Sequence, residues 1–65
     1  MTDKEFVLSI EPSAFASRSN ISGSQVIYED DLRYIKMSEY WPLESDAWKD
    51  AAERLRRRFL LKLES

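Results

Sequence analysis

The stretch that most constrains the fold runs from Phe15 to Tyr28, where signals for a helix end and a helix start follow each other closely. Asn20 tolerates the left-handed backbone conformation in which many helices end. Ser22 is a favourable N-cap residue, and Gln25, three residues later, completes the capping-box pattern. This order of signals predicts two short helices that meet at a sharp corner.

Two further features of the same stretch support that interpretation. Ile21 before the cap and Val26 inside the second helix have the spacing of a hydrophobic staple. Ala16 is small enough to let two helices approach closely. We therefore predict a helix-turn-helix, with helices over residues 12–19 and 23–29.

The N-terminal segment carries weaker signals. Residues 1–5 are expected to be disordered, as chain ends often are. Residues 6–10 form a short β-type run, which we interpret as an extended segment over one end of the core. Glu11 and Pro12 are typical of a helix start, so the first helix is expected to open there.

A small hairpin, or wing, is expected in the middle of the chain. Residues 32–37 are rich in strand-forming side chains, and residues 40–43 can return as a second strand. Pro42 limits that return strand to an edge. A helix over residues 30–40 is the alternative, because the apolar residues of this region also fit helical spacing.

The last element has the clearest pattern, a helix capped by Ser45 or Asp46 that continues to about Leu63. Apolar side chains at helical spacing form one stripe along it: Trp48, Ala51, Ala52, Leu55, Phe59 and Leu63. Acidic residues dominate its first half and basic residues its second, which suits the helix dipole. Leu60 and Leu61 lie off the stripe, either as an interface for self-association or as part of a frayed end.

These elements predict a mostly α-helical α+β chain. It would be a single winged helix-turn-helix domain over residues 1–65, with two short helices, a two-stranded wing and a long C-terminal helix. The sequence has no cysteine, no histidine and no glycine-rich phosphate loop, so we expect no enzyme activity, no cofactor, no metal and no small-molecule ligand. No apolar run approaches the length of a membrane span, and no signal segment is evident, so we expect a cytoplasmic protein without a membrane partner.

The ordered series of elements carries a resemblance to a known group of proteins. The matching residues, in chain order, are Leu8-Ser9-Ile10-Glu11, Phe15-Ala16, Ile21-Ser22 with Val26, Leu32-Arg33-Tyr34-Ile35-Lys36, Tyr40-Trp41 and Asp46-Ala47-Trp48. In this order they resemble the compact DNA-binding proteins of temperate phages: excisionases, Cox-type repressor-excisionases and AlpA-like regulators, whose architecture is similar to the MerR-type domain. The resemblance covers about four fifths of the chain.

The resemblance implies a sequence-specific protein that binds double-stranded DNA. Its role would be that of an excisionase (a recombination directionality factor), a transcriptional repressor, or both, in a temperate phage or mobile element. The implied partners are duplex DNA, a phage integrase and further copies of the chain bound side by side on DNA. The implied location is the host cytoplasm, in association with the nucleoid.

Seven residues are expected to contact DNA: Arg18, Ser22, Ser24, Gln25, Tyr28, Arg33 and Lys36. Glutamine can pair with adenine, hydroxyl groups can bind phosphates or base edges, and cations are attracted to phosphates. The alternatives are a capping pair without DNA contact on the second helix and solvated strand charges in the wing. The basic run from Arg54 to Arg58 contacts DNA or an acidic partner, or is simply a solvated helix face.

A second functional hypothesis is of another class, a small protein-binding inhibitor or adaptor that does not bind DNA. The formal net charge of −2 favours it, as does the lack of Arg and Lys between Ser22 and Asp31. The two hypotheses differ in how binding depends on salt. Affinity for duplex DNA should fall steeply as salt rises, because phosphate contacts release counterions.

Overall fold

The computed structural model of the protein contains two helices and three strands within its described residues. The structure describes residues 1–64, with the side chains of residues 1–60. In chain order the elements are α1 (Asp3–Ile10), β1 (Phe15–Ser19), β2 (Gly23–Asp30), β3 (Arg33–Lys36) and α2 (Glu44–Glu64). The strands form one antiparallel sheet in the order β1-β2-β3, with β2 in the centre.

This α+β fold is not a winged helix-turn-helix, and that prediction was wrong. The helices expected over residues 12–19 and 23–29 are replaced largely by β1 and β2. The run Val26-Ile27-Tyr28 consists of β-branched and aromatic side chains, which favour a strand. Pairing with strands on both sides satisfies the backbone of β2, and this outweighs the local capping signals.

The expected corner at Asn20 is instead the turn of a β-hairpin between β1 and β2. The Ser19 hydroxyl accepts the backbone N–H groups of Ile21 at 3.3 Å and Ser22 at 3.2 Å. Such local hydrogen bonds from serine side chains stabilise turns. Gly23 follows with a φ of 96°, a left-handed value that suits glycine, and the capping box with Gln25 does not form.

Helix α1 lies where disorder and an extended segment were expected. Thr2 caps it: the Thr2 hydroxyl accepts the N–H of Glu5 at 3.1 Å and donates to the Glu5 carboxylate at 3.1 Å. The Thr-x-x-Glu spacing of a capping box is visible in the sequence, but here the Glu5 carboxylate accepts the Thr2 hydroxyl rather than the Thr2 backbone N–H. Pro12 follows the helix end rather than opening a helix, which is a common position for proline.

The strand expected over residues 32–37 is present as β3, but its predicted partner is not. β3 pairs with β2, and the segment over residues 40–43 contributes only a bridge between Trp41 and Ser24. Between them, Met37 and Ser38 form a bulge, since both backbone N–H groups donate to the Val26 carbonyl, at 2.8 and 3.2 Å. The chain is thus held against the same edge of β2 far beyond the end of β3.

The hairpin between β2 and β3 turns through Asp31 and Leu32, with φ angles of 51° and 68°. Two consecutive positive φ values indicate a type I′ turn, whose second position is normally glycine. Leu32 is 92% exposed there, so no packing compensates for its left-handed conformation. The turn therefore presents a large apolar side chain at the cost of local backbone strain.

We expect Leu32→Gly to raise the free energy of unfolding by about 0.5–1 kcal/mol. Glycine removes the left-handed penalty but adds unfolded-state entropy, so the net gain is modest. Urea unfolding followed by circular dichroism measures it. Asp31→Gly is the matched control and should gain less, because aspartate tolerates this conformation better than leucine. If the Leu32→Gly protein were no more stable than the wild type, the backbone strain that we assign to Leu32 would be contradicted.

The long C-terminal helix is confirmed as α2, but it begins at Glu44, so Ser45 and Asp46 lie in its first turn and do not cap it as predicted. It lies between α1 and the sheet. The buried apolar core consists of Val7, Ala14, Val26, Met37, Ala47, Trp48, Ala51, Ala52 and Leu55. Phe59, expected in the same stripe, is exposed, because the helix continues beyond the elements that cover it, and the side chains of Leu61 and Leu63 lie outside the described residues.

Membrane insertion has no candidate element in the part of the chain that the structure describes. Neither helix there combines the length and the apolar character needed to cross a bilayer.

Candidate functional site

One face of the sheet is covered by α2 and the other is open. Ala16, Val26 and Tyr28 pack against the core, so they mark the covered face. Side chains alternate between faces along a strand, and the pairing register aligns them across strands. The opposite face, here called the open face, therefore carries Phe15, Ser17, Ser19, Gln25, Ile27, Glu29, Tyr34 and Lys36.

An apolar cluster occupies the middle of the open face. Phe15 lies directly across from Ile27 in the register of β1 and β2. The rings of Phe15 and Tyr34 meet edge to face, with centroids 6.1 Å apart, although their strands are separated by β2. Such contact is possible only if both rings lie over β2 on the same side. Phe15 is nevertheless 42% exposed and Tyr34 67% exposed.

Many large apolar side chains of the described fold are exposed. Among the residues that the structure describes, eleven large hydrophobic residues are exposed, whereas only five besides alanine belong to the buried core. Four of the core residues are alanines, three of them in α2 and one, Ala14, between α1 and β1. Each alanine contributes little buried apolar area. Single exposed apolar residues are common on protein surfaces, so the surface suited to contact with another macromolecule is the one where they cluster, at Phe15 and Tyr34.

The open face has an acidic boundary at one end. Glu29, Asp30 and Asp31 follow each other at the end of β2 and in the turn, and all three are exposed. Arg33 lies across from Asp30 and is the one basic residue in this hairpin end. The hairpin end is therefore negative, while Lys36, across from Ile27, places one cation beside the aromatic cluster, where it pairs with Glu39.

A second surface feature lies on the other side of the sheet, between β3 and α2. It is a groove of about 90 Å³, here called the seam groove. Its lining combines apolar and basic side chains: Tyr28, Ile35, Lys36, Met37, Ala51, Arg54, Leu55 and Arg58. The groove thus combines apolar side chains with two cations of α2, Arg54 and Arg58, and it reaches Lys36 at the end of β3.

The segment that follows β3 is fixed to α2 through Asp50. The Asp50 carboxylate accepts the backbone N–H of Glu39 at 2.9 Å and the indole N–H of Trp41 at 3.1 Å, and it pairs with Arg54 at 3.1 Å. Burial alone would raise the pKa of Asp50, but these hydrogen bonds and the charge of Arg54 outweigh it and lower the pKa below its ordinary value. Lys36, and after it Arg54, likewise lower the pKa of exposed Glu39.

We expect the fold to lose stability in acid partly through Asp50. Because folding lowers the pKa of this carboxyl, its contribution is present above the ordinary value of 3.8 and is lost as the pH falls through the lower folded value. When urea unfolding is measured between about pH 6 and about pH 3, the free energy of unfolding should fall more steeply for the wild type than for Asp50→Asn. Glu39→Gln should follow the wild type closely, since the exposed pair with Lys36 is weak. If the free energy of unfolding fell equally with pH in the wild type and in Asp50→Asn, this role of Asp50 would be contradicted.

Three of the seven residues predicted to contact DNA are Arg18, Ser22 and Arg33, of which only Arg18 and Ser22 lie together, lining one surface groove with Ser24. Arg18 is in β1 and Ser22 in the turn that follows it. Arg33 begins β3, at the opposite end of β2 from that turn. The structure therefore does not bring these three side chains together on one surface.

The other four are divided between the two faces of the sheet or engaged within the fold. Ser24 is buried, and its backbone N–H and C=O both bond to Trp41. Gln25 lies on the open face and donates to the Ser38 carbonyl at 3.0 Å. Tyr28 is on the covered face, and the Lys36 ammonium pairs with Glu39 at 2.7 Å.

Metal chemistry has no candidate site within residues 1–60. Among those side chains, no group of three or more His, Cys, Asp or Glu is arranged to hold an ion. The residues that sequence reasoning missed are those of the open face, chiefly Phe15, Ile27 and Tyr34. Their signal is an every-second-residue alternation, which could be interpreted only once residues 15–30 were recognised as strands.

Comparisons of the chain with models of protein families, with curated protein sequences and with solved structures each found no match. The resemblance to phage excisionases and to Cox-type or AlpA-like regulators therefore stays an untested prediction of family.

Proposed function

We propose that this protein is a small protein-binding module, an adaptor or inhibitor, that docks a folded partner on its open face. The observation that carries the proposal is the cluster of exposed Phe15 and Tyr34 with half-buried Ile27, on a sheet face that no element of the described chain covers. Aromatic side chains at the centre of an interface supply much of its binding energy. We place this interaction in the cytoplasm, as the sequence analysis predicts.

The strained turn beside the cluster supports the same role. Leu32 has a left-handed backbone and is almost fully exposed, so nothing within the described fold accounts for a large apolar residue there. Backbone strain that the fold does not need is often found at functional positions. Contact of Leu32 with a partner would bury this side chain and offset the strain.

Charge defines the chemistry of the partner. The acidic series of Glu29, Asp30 and Asp31 borders the cluster, so the fitting surface has an apolar centre and a basic rim. The same charges repel phosphate, which disfavours duplex DNA on this face. The helix predicted over residues 23–29, which was expected to contact DNA bases, is strand β2 in the structure. Excision or repression through contacts of such a helix with bases therefore has no support from the fold.

A two-stage binding experiment tests the proposal. The immobilised protein captures partners from the cells that produce it, and each captured protein is then purified and titrated against the free chain by calorimetry. We expect at least one direct complex, and we expect Phe15→Ser and Tyr34→Ser each to weaken it by about tenfold or more. Titration of duplex DNA at low and at moderate salt runs in parallel.

The matched control is Ile21→Ser, which removes an apolar side chain that is 96% exposed but lies in the β1–β2 turn, away from the open face. It should bind like the wild type. Circular dichroism of each variant confirms that the fold is retained. Two results would contradict the proposal: a direct partner that binds the open-face variants as tightly as the wild type, or steeply salt-dependent DNA binding with no protein partner.

A further inference from the structure

Strand β3 is an edge strand whose outer side pairs with no other described strand. The Met37 N–H donates to the Val26 carbonyl, which fixes the phase of the ladder. Backbone groups of an antiparallel strand alternate between its two neighbours. Ile35 and Arg33 therefore bond toward β2, whereas the N–H and C=O groups of Tyr34 and Lys36 point outward. This edge offers two donors and two acceptors to an additional strand.

The seam groove lies next to this edge, on the covered side of the sheet. Its base is formed by Ile35, Met37 and Leu55, and Tyr28 lines it as well. A volume of about 90 Å³ equals that of about three water molecules in the liquid. A branched aliphatic side chain of three or four heavy atoms matches that space.

Basic residues surround the edge and the groove. Lys36, Arg54 and Arg58 line the groove, and Arg33 begins the strand. Glu39 pairs with Lys36 and Arg54, but Arg58 has no ion-pair partner among the described side chains. Cations on an edge strand repel a second copy of the same edge, and they attract an acidic one.

We propose that the edge of β3 and the seam groove bind an extended acidic segment of a second protein by strand addition. Backbone groups of Tyr34 and Lys36 pair with the added strand. One aliphatic side chain of that strand enters the groove, and neighbouring carboxylates reach Arg54 and Arg58. The groove lies on the covered side of the sheet, and it meets the open face only along β3, at Tyr34 and Lys36. The chain can therefore hold one partner on each side of the sheet as an adaptor.

The test uses the whole protein labelled with ¹⁵N and a short capped peptide of alternating glutamate and valine. At saturation, hydrogen exchange of the Tyr34 and Lys36 amides should slow by about tenfold or more. The Arg33 and Ile35 amides already bond toward β2, so their exchange should change little, and they serve as internal controls. A peptide of alternating lysine and valine should not bind.

Charge reversal on α2 gives matched variants. Arg58→Glu should weaken binding of the acidic peptide by about tenfold, whereas Arg57→Glu, one residue along and outside the groove, should weaken it by about twofold at most. Phe15→Ser should leave peptide binding unchanged, so failure of the open-face proposal is distinguishable from failure here. No binding at millimolar peptide, equal losses in both arginine variants, or protection away from Tyr34 and Lys36 would each overturn the proposal.

Discussion

Gly23→Ala should destabilise the protein by about 3 kcal/mol or more, the largest effect that we expect from a single methyl group in this chain. A Cβ atom at Gly23 would lie 2.1 Å from the carbonyl oxygen of Trp41 and 2.7 Å from its carbonyl carbon. Both are backbone atoms, so rotation of a side chain cannot relieve the clash. The φ of 96° adds a penalty for any residue with a side chain.

The clash also acts on the contact that holds residues 40–43 to the sheet. Ser24 and Trp41 exchange two backbone hydrogen bonds of 2.7 and 2.8 Å next to Gly23. Movement of Trp41 away from a new methyl group breaks that bridge. A chain of this size has a total stability of about 3–10 kcal/mol, so a loss of about 3 kcal/mol removes roughly a third or more of it and should lower the unfolding midpoint strongly.

Thermal and urea unfolding followed by circular dichroism measure this effect. Ser22→Ala is the matched control, because it adds no atom near Trp41 and lies in the same exposed turn. It should unfold within about 0.5 kcal/mol of the wild type. A Gly23→Ala protein with an unchanged midpoint would show that the turn and the Trp41 segment do not pack as described.

Ser38→Ala has the second largest expected effect, a loss of about 1–3 kcal/mol. Ser38 is fully buried, and its hydroxyl accepts the Val26 N–H at 2.8 Å and donates to the Glu39 carbonyl at 2.9 Å. This side chain replaces the ladder bond that the bulge would otherwise leave unmade. Alanine leaves the Val26 N–H buried without a partner, which costs the desolvation of that group.

The readout should be both global and local. The unfolding temperature should fall by about 4–8 °C for each kcal/mol lost. Exchange of the Val26 amide should accelerate more than that of its neighbours in β2. Ser13→Ala removes a hydroxyl that bonds only the exposed Glu11 carboxylate, so it should change stability little. Equal effects of the two variants would contradict the role of Ser38.

Helix α2 could be predicted from the sequence because its signal is long and internally consistent. Trp48, Ala51, Ala52 and Leu55 repeat at helical spacing, and each is buried where the pattern expects it. The acidic residues at its start and the basic residues at its end also indicate a helix, because they complement the helix dipole. The strand at Arg33–Lys36 was also predicted, although its pairing partner was not.

The prediction for the first half of the chain was wrong because short helix-capping motifs there conflict with the pairing of these residues as strands. Ser22 and Gln25 have capping-box spacing by sequence, yet the adjoining run from Val26 to Tyr28 favours a strand. Long-range pairing decides such conflicts, and it cannot be read from a short stretch. The N-cap that does form, between Thr2 and Glu5, lies in a segment that the sequence analysis interpreted as disordered.

The candidate site could not have been located from the sequence alone. Whether Ile27 or Val26 faces the core depends on which side of the sheet α2 covers, and a shift of one residue reverses the answer. The contact between Phe15 and Tyr34 joins strands that are not neighbours, so no spacing rule predicts it. The cations of the seam groove likewise come from β3 and α2, far apart in the chain.

The central claim is that the open face docks a protein partner, and side-chain NMR of the reconstituted complex tests it most directly. Ile27 and Val26 are adjacent in β2 and point to opposite faces, so their methyl signals report the two sides of one strand. We predict large changes for the Ile27 methyls and the Phe15 and Tyr34 rings, with little change for Val26. Changes confined to Phe59 and the basic end of α2, with the Ile27 methyls unmoved, would contradict the claim.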